Sequence, residues 1–139
     1  AGLFGTADDL LKMMQLYLNF GLYEGQRYLA ETTVREFTRI QYPENQNRRG
    51  LGFDKPLINN NQLDLEAAYP APEASIESFG HSGFTGTFVW VDPKYQMVYI
   101  FLSNRVYPDR SHRKLYELNV RTTVQQQFYK AFIKSESVN

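Results

Sequence analysis

The apolar positions change period along the chain, helical at first, two-fold in the middle and helical again at the end. Leu10, Leu11, Met14, Tyr17 and Leu18 recur at i, i+1, i+4, i+7 and i+8, one stripe of an amphipathic helix. Thr6 is a good N-cap, and Asp9 three residues later completes an acidic variant of the capping box. Gly21 is placed to end that helix in the left-handed conformation. Leu22 to Leu29 reads as a small hairpin turning at Glu24-Gly25, followed by a helix over about Glu31 to Ile40 with Val34, Phe37 and Ile40 inward. Gln41 to Arg49 is polar and loop-like. Gly50-Leu51-Gly52-Phe53 reads as a short strand whose glycines admit a close backbone neighbour. Residues 54–75 contain Asn59-Asn60-Asn61 and three prolines, the pattern of a long loop or insertion, and such loops in compact domains are often functional.

Three consecutive strands follow, over Ile76–Gly83, Thr85–Val91 and Met97–Ser103, with Asp92-Pro93-Lys94-Tyr95 as the turn between the last two. Phe88 and Trp90 alternate with Val89 and Val91, and Met97, Tyr99 and Phe101 alternate with Val98, Ile100 and Leu102. Both faces are therefore apolar, and the sheet must be covered front and back. The expected architecture is α+β, an antiparallel sheet with helices on both faces. A last helix is expected from about His112 to Lys134, with Ser111 as N-cap and Val120, Val124, Phe128 and Ala131 inward.

A length of 139 residues suits one domain and is too short for two. Fifteen basic residues balance fifteen acidic ones, which argues against nucleic acid or an anionic membrane recognised by bulk charge. The local basic groups, Arg48-Arg49 and Arg110, Arg113 and Lys114, read as solvated loop and helix-end charges. There is no cysteine, so disulfides, thiolate nucleophiles and cysteine metal sites are excluded. The two histidines, His81 and His112, lie far apart without a nearby carboxylate pattern, so neither a metal nor another cofactor is expected. No apolar run reaches the roughly 18 residues of a membrane span. The start at Ala1, without Met and without a signal peptide, reads as an excised piece.

The candidate chemistry is concentrated in His81-Ser82-Gly83-Phe84-Thr85-Gly86. With Gly80 before it, Thr87 through Val91-Asp92-Pro93 after it, and Phe101-Leu102-Ser103-Asn104-Arg105 beyond, this stretch resembles the third active-site motif of the serine β-lactamase and penicillin-binding-protein superfamily. The opening Ala1-Gly2-Leu3-Phe4-Gly5-Thr6-Ala7-Asp8-Asp9-Leu10 is similar to that family's Ala-Gly-Leu segment. The likeness covers most of the chain outside residues 54–75. It implies a partial β-lactamase/transpeptidase-like fold in which the strand edge faces an acyl, ester or amide substrate. A serine upstream would attack the carbonyl, and two backbone N–H groups would hold the oxyanion. The resemblance implies that one of them belongs to Phe84. Gly83 would let substrate approach, Ser82 would hydrogen-bond a substrate carboxylate or carbonyl, and His81 would orient or tune the upstream tyrosine and serine. The bland alternative is an ordinary half-buried histidine beside bulge glycines.

Histidine at 81, where many members carry lysine, places the parent nearer to esterases, peptidases and amidases than to drug-resistance enzymes. The run from Phe79 to Pro108 is similar to β-lactamase-like domains fused behind glycoside hydrolase family 3 N-acetylglucosaminidases in Bacteroidota, which implies cell-wall or glycan work outside the cytoplasm. Ser111-His112-Arg113-Lys114 fits S-x-x-K and Tyr17-Leu18-Asn19 fits Y-x-N, but the first follows the sheet and the second sits on the stripe of the first helix. Both are rejected as catalysts. The chain alone is thus expected to be inactive. Two alternatives stand beside this reading. One is a non-catalytic binding or assembly module that pairs through its sheet edge with itself or with a missing N-terminal part. The other is an independent small α+β domain whose likeness is fortuitous.

Overall fold

The computed structural model describes residues 3–136; Ala1 and Gly2 of the opening motif lie outside them. Helix α1 (Ala7–Leu18) begins at the capping box read from the sequence. Thr6 Oγ1 accepts from the Asp9 N–H at 3.2 Å, and the Asp9 carboxylate accepts from the Thr6 N–H at 2.9 Å. The helix end differs from expectation. Phe20, with φ of 49°, takes the first left-handed position, and the Gly21 N–H reaches back to Leu16 O at 2.8 Å. Gly21 is still required, because its φ is 90° and a Cβ would stand 2.2 Å from Leu29 O.

Strands β1 (Leu22–Tyr23) and β2 (Gln26–Arg27) form the expected hairpin, with Glu24 and Gly25 both at positive φ in its turn. Helix α2 (Glu31–Thr38) buries Val34 and Thr38, whereas Phe37 is exposed. The Thr38 hydroxyl donates to Val34 O at 2.9 Å, so a polar side chain can take the inward position that pattern alone assigns to Phe37. Gly50 to Phe53 is a tight turn rather than a strand, closed by the Gly50 N–H on Phe53 O at 2.9 Å. The close approach expected of its glycines holds at Gly50, where a Cβ would lie 2.4 Å from Phe37 O, and not at Gly52.

Strands β3 (Phe79–Ser82), β4 (Phe88–Asp92) and β5 (Met97–Phe101) make an antiparallel sheet in the order β3-β4-β5. Residues 76–78 do not join β3, because the Ser78 N–H and hydroxyl both bond Ser75 O and close a turn. The sheet is covered on both faces, as the alternation requires. Met14 and Leu18 of α1 pack on Phe79 and Val91, with Val89, Val98 and Phe53 around them. On the other face Phe88, Trp90 and Tyr99 form an aromatic layer, with ring centroids 5.6 and 5.9 Å apart. Tyr17 belongs to the first core, edge-on to Phe53 at 5.3 Å, so its Y-x-N match is a packing accident.

The C-terminal helix is broken. Helix α3 (Lys114–Glu117) is separated from α4 (Val120–Glu136) by Asn119 at φ 47°. Ser111 caps neither; its N–H donates to Asp109 Oδ1 at 2.7 Å, and α3 starts after Arg113 with no side-chain cap. Helix α4 buries Thr122, Gln125, Gln126 and Tyr129 while Phe128 is exposed. The inward face is polar because it covers a loop. Gln125 Oε1 accepts from the Ala71 N–H at 3.0 Å, Gln126 Nε2 donates to Glu73 at 3.0 Å, and the Tyr129 hydroxyl donates to Asp92 at 2.7 Å. Residues 54–75 are thus a loop held from within. Asn60 alone bonds Pro70 O, Ala71 O and the Tyr69 N–H.

Lys55 is buried beside this loop, its ammonium donating to Glu77 O at 2.8 Å. Burial pulls its pKa down to about 8, against a smaller opposing pull from the Asp92 and Glu77 charges. Below pH 8 both folded and unfolded chains are protonated, and the full penalty of the buried ammonium applies. From about 8 to the unfolded value of 10.5 the unfolded chain holds more protons, so stability rises with pH. The rise is on the order of 3 kcal/mol. It is followed by a fall above the ordinary phenol value of 10.0, because burial lifts Tyr69 and Tyr99 to about 12. Urea midpoints of the wild type should therefore climb between pH 8 and 10, and those of Lys55→Met should stay level over that window.

Candidate active-site strand

The turn after β3 fixes one peptide unit. The Gly83 N–H donates to Thr87 O at 2.8 Å, and Gly83 O accepts from the Gly86 N–H at 3.0 Å. In a trans peptide the carbonyl and the next N–H point opposite ways, so pinning Gly83 O aims the Phe84 N–H away from the turn. That N–H has no hydrogen-bond partner among the described residues. The following carbonyl, Phe84 O, is held separately by Arg105 Nε at 3.0 Å and the Tyr116 hydroxyl at 3.2 Å. Arg105 also lies over both the Phe84 and Tyr116 rings, at 4.7 and 4.8 Å. A donor with fixed direction and no partner is what an oxyanion requires.

The glycines of the turn have structural reasons of their own. A Cβ on Gly83 would lie 2.4 Å from Thr87 Oγ1, and one on Gly86, where φ is 97°, would lie 2.3 Å from Leu115 Cδ2. Beside Phe84, an open pocket of about 460 Å³ is lined by Arg105, Asp109, Arg110, Arg113 and Tyr116. A larger hollow of about 910 Å³, between Pro56, Glu73, Tyr95 and Ile133, includes none of residues 81–84.

His81 is exposed, not half-buried, and pairs across the ladder with Val89. Its Nε2 lies 3.1 Å from Arg49 Nη2, and Arg49 Nη1 lies 2.9 Å from Asp54 Oδ1. Asp54 is buried, bridged by backbone to Gly80, and its other oxygen accepts from the Tyr69 hydroxyl at 3.1 Å. Burial raises the Tyr69 phenol to about 12; the Asp54 charge adds to this, while a hydrogen bond with Ser82 and the charge of Arg48 oppose it. Ser82 is half-buried toward this cluster. Arg48 and Arg49 are therefore not free loop charges. Arg48 donates to Lys55 O, sits 3.7 Å from Asp54 and covers the Tyr69 ring at 4.9 Å.

The β-lactamase family model matches residues 1–123. The chain belongs to the beta-lactamase family. Within that family it is 35% identical over 105 residues to proteins of Salmonella paratyphi B, Salmonella newport and Salmonella heidelberg, each assigned by name as a D-alanyl-D-alanine carboxypeptidase. The match covers 76% of this chain and 23% of each relative, so the beta-lactamase-family segment spans about a quarter of the proteins it resembles.

Among the site residues named from sequence, His81, Ser82, Gly83 and Phe84 fall on one strand end and its turn, as adjacency dictates. Sequence reasoning missed Arg49, Asp54, Tyr69, Arg105 and Tyr116. The signals that touched them were the loop length over residues 54–75, the basic pair Arg48-Arg49, read as solvated charge, and Arg105 at the end of the family-like stretch, given no role. Ser111 lies exposed on a loop and its N–H is turned to Asp109, so the beta-lactamase-family nucleophile pattern there is a chance match.

Proposed function

We propose that this chain is the substrate-facing strand wall of a serine acyl-transfer enzyme, a hydrolase of the esterase, peptidase or amidase type. The observation that carries this reading is the Phe84 N–H, which has no partner among the described residues and is aimed by the Gly83–Gly86 hydrogen bond. It serves as one of two oxyanion donors. Ser82 contacts the substrate's carboxylate or carbonyl, Gly83 leaves the strand edge open to it, and His81 orients the reacting groups. The nucleophilic serine and the catalytic tyrosine come from outside these 139 residues. The carboxypeptidase relatives point to a cell-wall peptide as substrate and to a site of action outside the cytoplasm. No helix among the described residues is long and apolar enough to cross a membrane.

A second reading, a non-catalytic assembly module, draws on β5. The outer edge of this strand pairs with nothing among the described residues, and an open hollow of about 370 Å³ runs along it between Tyr99, Phe101, Val124 and Phe128. Such an edge favours pairing with another strand, from a second copy or from the remainder of the parent.

One experiment addresses both. The isolated chain should release no p-nitrophenol from p-nitrophenyl acetate and should self-associate in light scattering. A longer protein carrying the same residues should turn the ester over. Turnover by the isolated chain that Ser111→Ala abolishes would overturn the first reading, and a well-behaved monomer would count against the second.

A further inference from the structure

The contact between Arg49 and His81 constrains the histidine more than its position on the strand does. A guanidinium carries only donors, five N–H groups and no lone pair available to accept. With Arg49 Nη2 at 3.1 Å, Nε2 of His81 can only be the acceptor. When one ring nitrogen of a neutral imidazole accepts, the other carries the proton. Arg49 is not free to swing away at no cost, because its second nitrogen is 2.9 Å from the buried Asp54 carboxylate. Asp54 is itself tied on three sides, by its backbone bridge to Gly80, by the Tyr69 hydroxyl and by Arg48.

We propose that Arg49, anchored by Asp54, is a positioning residue that holds His81 as the neutral Nδ1–H tautomer. The ring then offers the site a hydrogen-bond donor. Nε2, facing the Arg49 guanidinium, is not the nitrogen offered to the site. This deepens the hydrolase reading and rests on it for its significance, since it assigns to His81 the role of a donor and not of a general base. It also explains why a basic pair stands at 48–49, where the sequence pattern suggested only solvated charge.

Long-range 15N–1H correlation of the imidazoles tests this directly, at a pH about two units above the ordinary imidazole value of about 6.5. The chain has two histidines, and the urea-unfolded protein supplies the reference for a free ring. In the wild type the His81 Nε2 resonance should fall in the unprotonated region and Nδ1 in the protonated one. Arg49→Ala should move both toward the free-ring pattern of the unfolded protein, and Arg49→Lys, which keeps a donor, should restore part of the shift. Backbone amide spectra of the variants establish that the fold is retained. A protonated Nε2 in the wild type, or a His81 pattern untouched by Arg49→Ala, would overturn the proposal. Because the tautomer is read without substrate, it stands or falls separately from ester turnover by the longer protein.

Discussion

Replacing Asp92 with alanine should lower the unfolding free energy by about 3–5 kcal/mol, as much as truncating a large buried aromatic side chain. Asp92 is fully buried at the end of β4, and its two carboxylate oxygens accept four hydrogen bonds. Oδ1 takes the Ser75 hydroxyl at 2.6 Å and the Lys94 N–H at 3.1 Å; Oδ2 takes the Ser75 N–H at 2.8 Å and the Tyr129 hydroxyl at 2.7 Å. These partners belong to the inner loop, the β4–β5 turn and α4, so one carboxylate ties three separate segments to the sheet. Alanine strands at least three buried donors, each worth about 1–3 kcal/mol when left unsatisfied. Burial and the Asp92 charge hold the Tyr129 phenol far above its ordinary pKa, so it remains a donor at any working pH. Urea unfolding followed by tryptophan fluorescence measures the loss, Trp90 lying in the same sheet. Tyr129→Phe, which removes one donor and leaves three, should cost clearly less. Equal losses for the two variants would show that Asp92 acts through something other than this network.

The second large effect concerns chemistry. Incorporating the α-hydroxy analogue of phenylalanine at position 84 replaces the N–H with an ester oxygen and leaves the side chain intact. In a longer, active protein this should lower kcat by about 10²–10³, equivalent to roughly 2.7–4 kcal/mol of barrier, as the loss of one oxyanion donor does elsewhere. The Gly83 N–H to Thr87 O bond does not involve this peptide unit and should survive, whereas Gly83 O becomes an ester carbonyl and a weaker acceptor for the Gly86 N–H. Phe84→Ala keeps the N–H and removes only the ring that Arg105 covers, so it should retain most of the rate. An ester variant with unchanged kcat would remove Phe84 from the oxyanion hole.

The parts of this molecule that the sequence announces are those whose cause is local. Thr6 and Asp9 satisfy each other three residues apart, Glu24-Gly25 closes a two-residue turn, and Phe88 and Trp90 alternate with Val89 and Val91 because a strand has two faces. The strand that carries the candidate residues was legible for the same reason, those residues being consecutive. What escaped depends on partners far along the chain. Gln125 faces inward only because a backbone N–H 54 residues away needs an acceptor, and Arg49 meets a histidine 32 residues on. Patterns of polarity record that Gln and Arg are hydrophilic; they carry no trace of a buried group waiting elsewhere. The same blindness turned Phe37 and Phe128 inward on paper, when a threonine hydroxyl and a tyrosine took those places.

The left-handed residue at Asn119 has a geometric consequence. In an unbroken helix, inserting one residue rotates everything beyond it by about 100°. Here the break separates the angular setting of Tyr116, which holds Phe84 O, from that of the seventeen residues of α4 that cover the loop and sheet, although Arg121 of α4 still stacks on the Tyr116 ring at 4.8 Å. Thr122, Gln125, Gln126 and Tyr129 can therefore face inward at an angle that the placement of Tyr116 does not dictate.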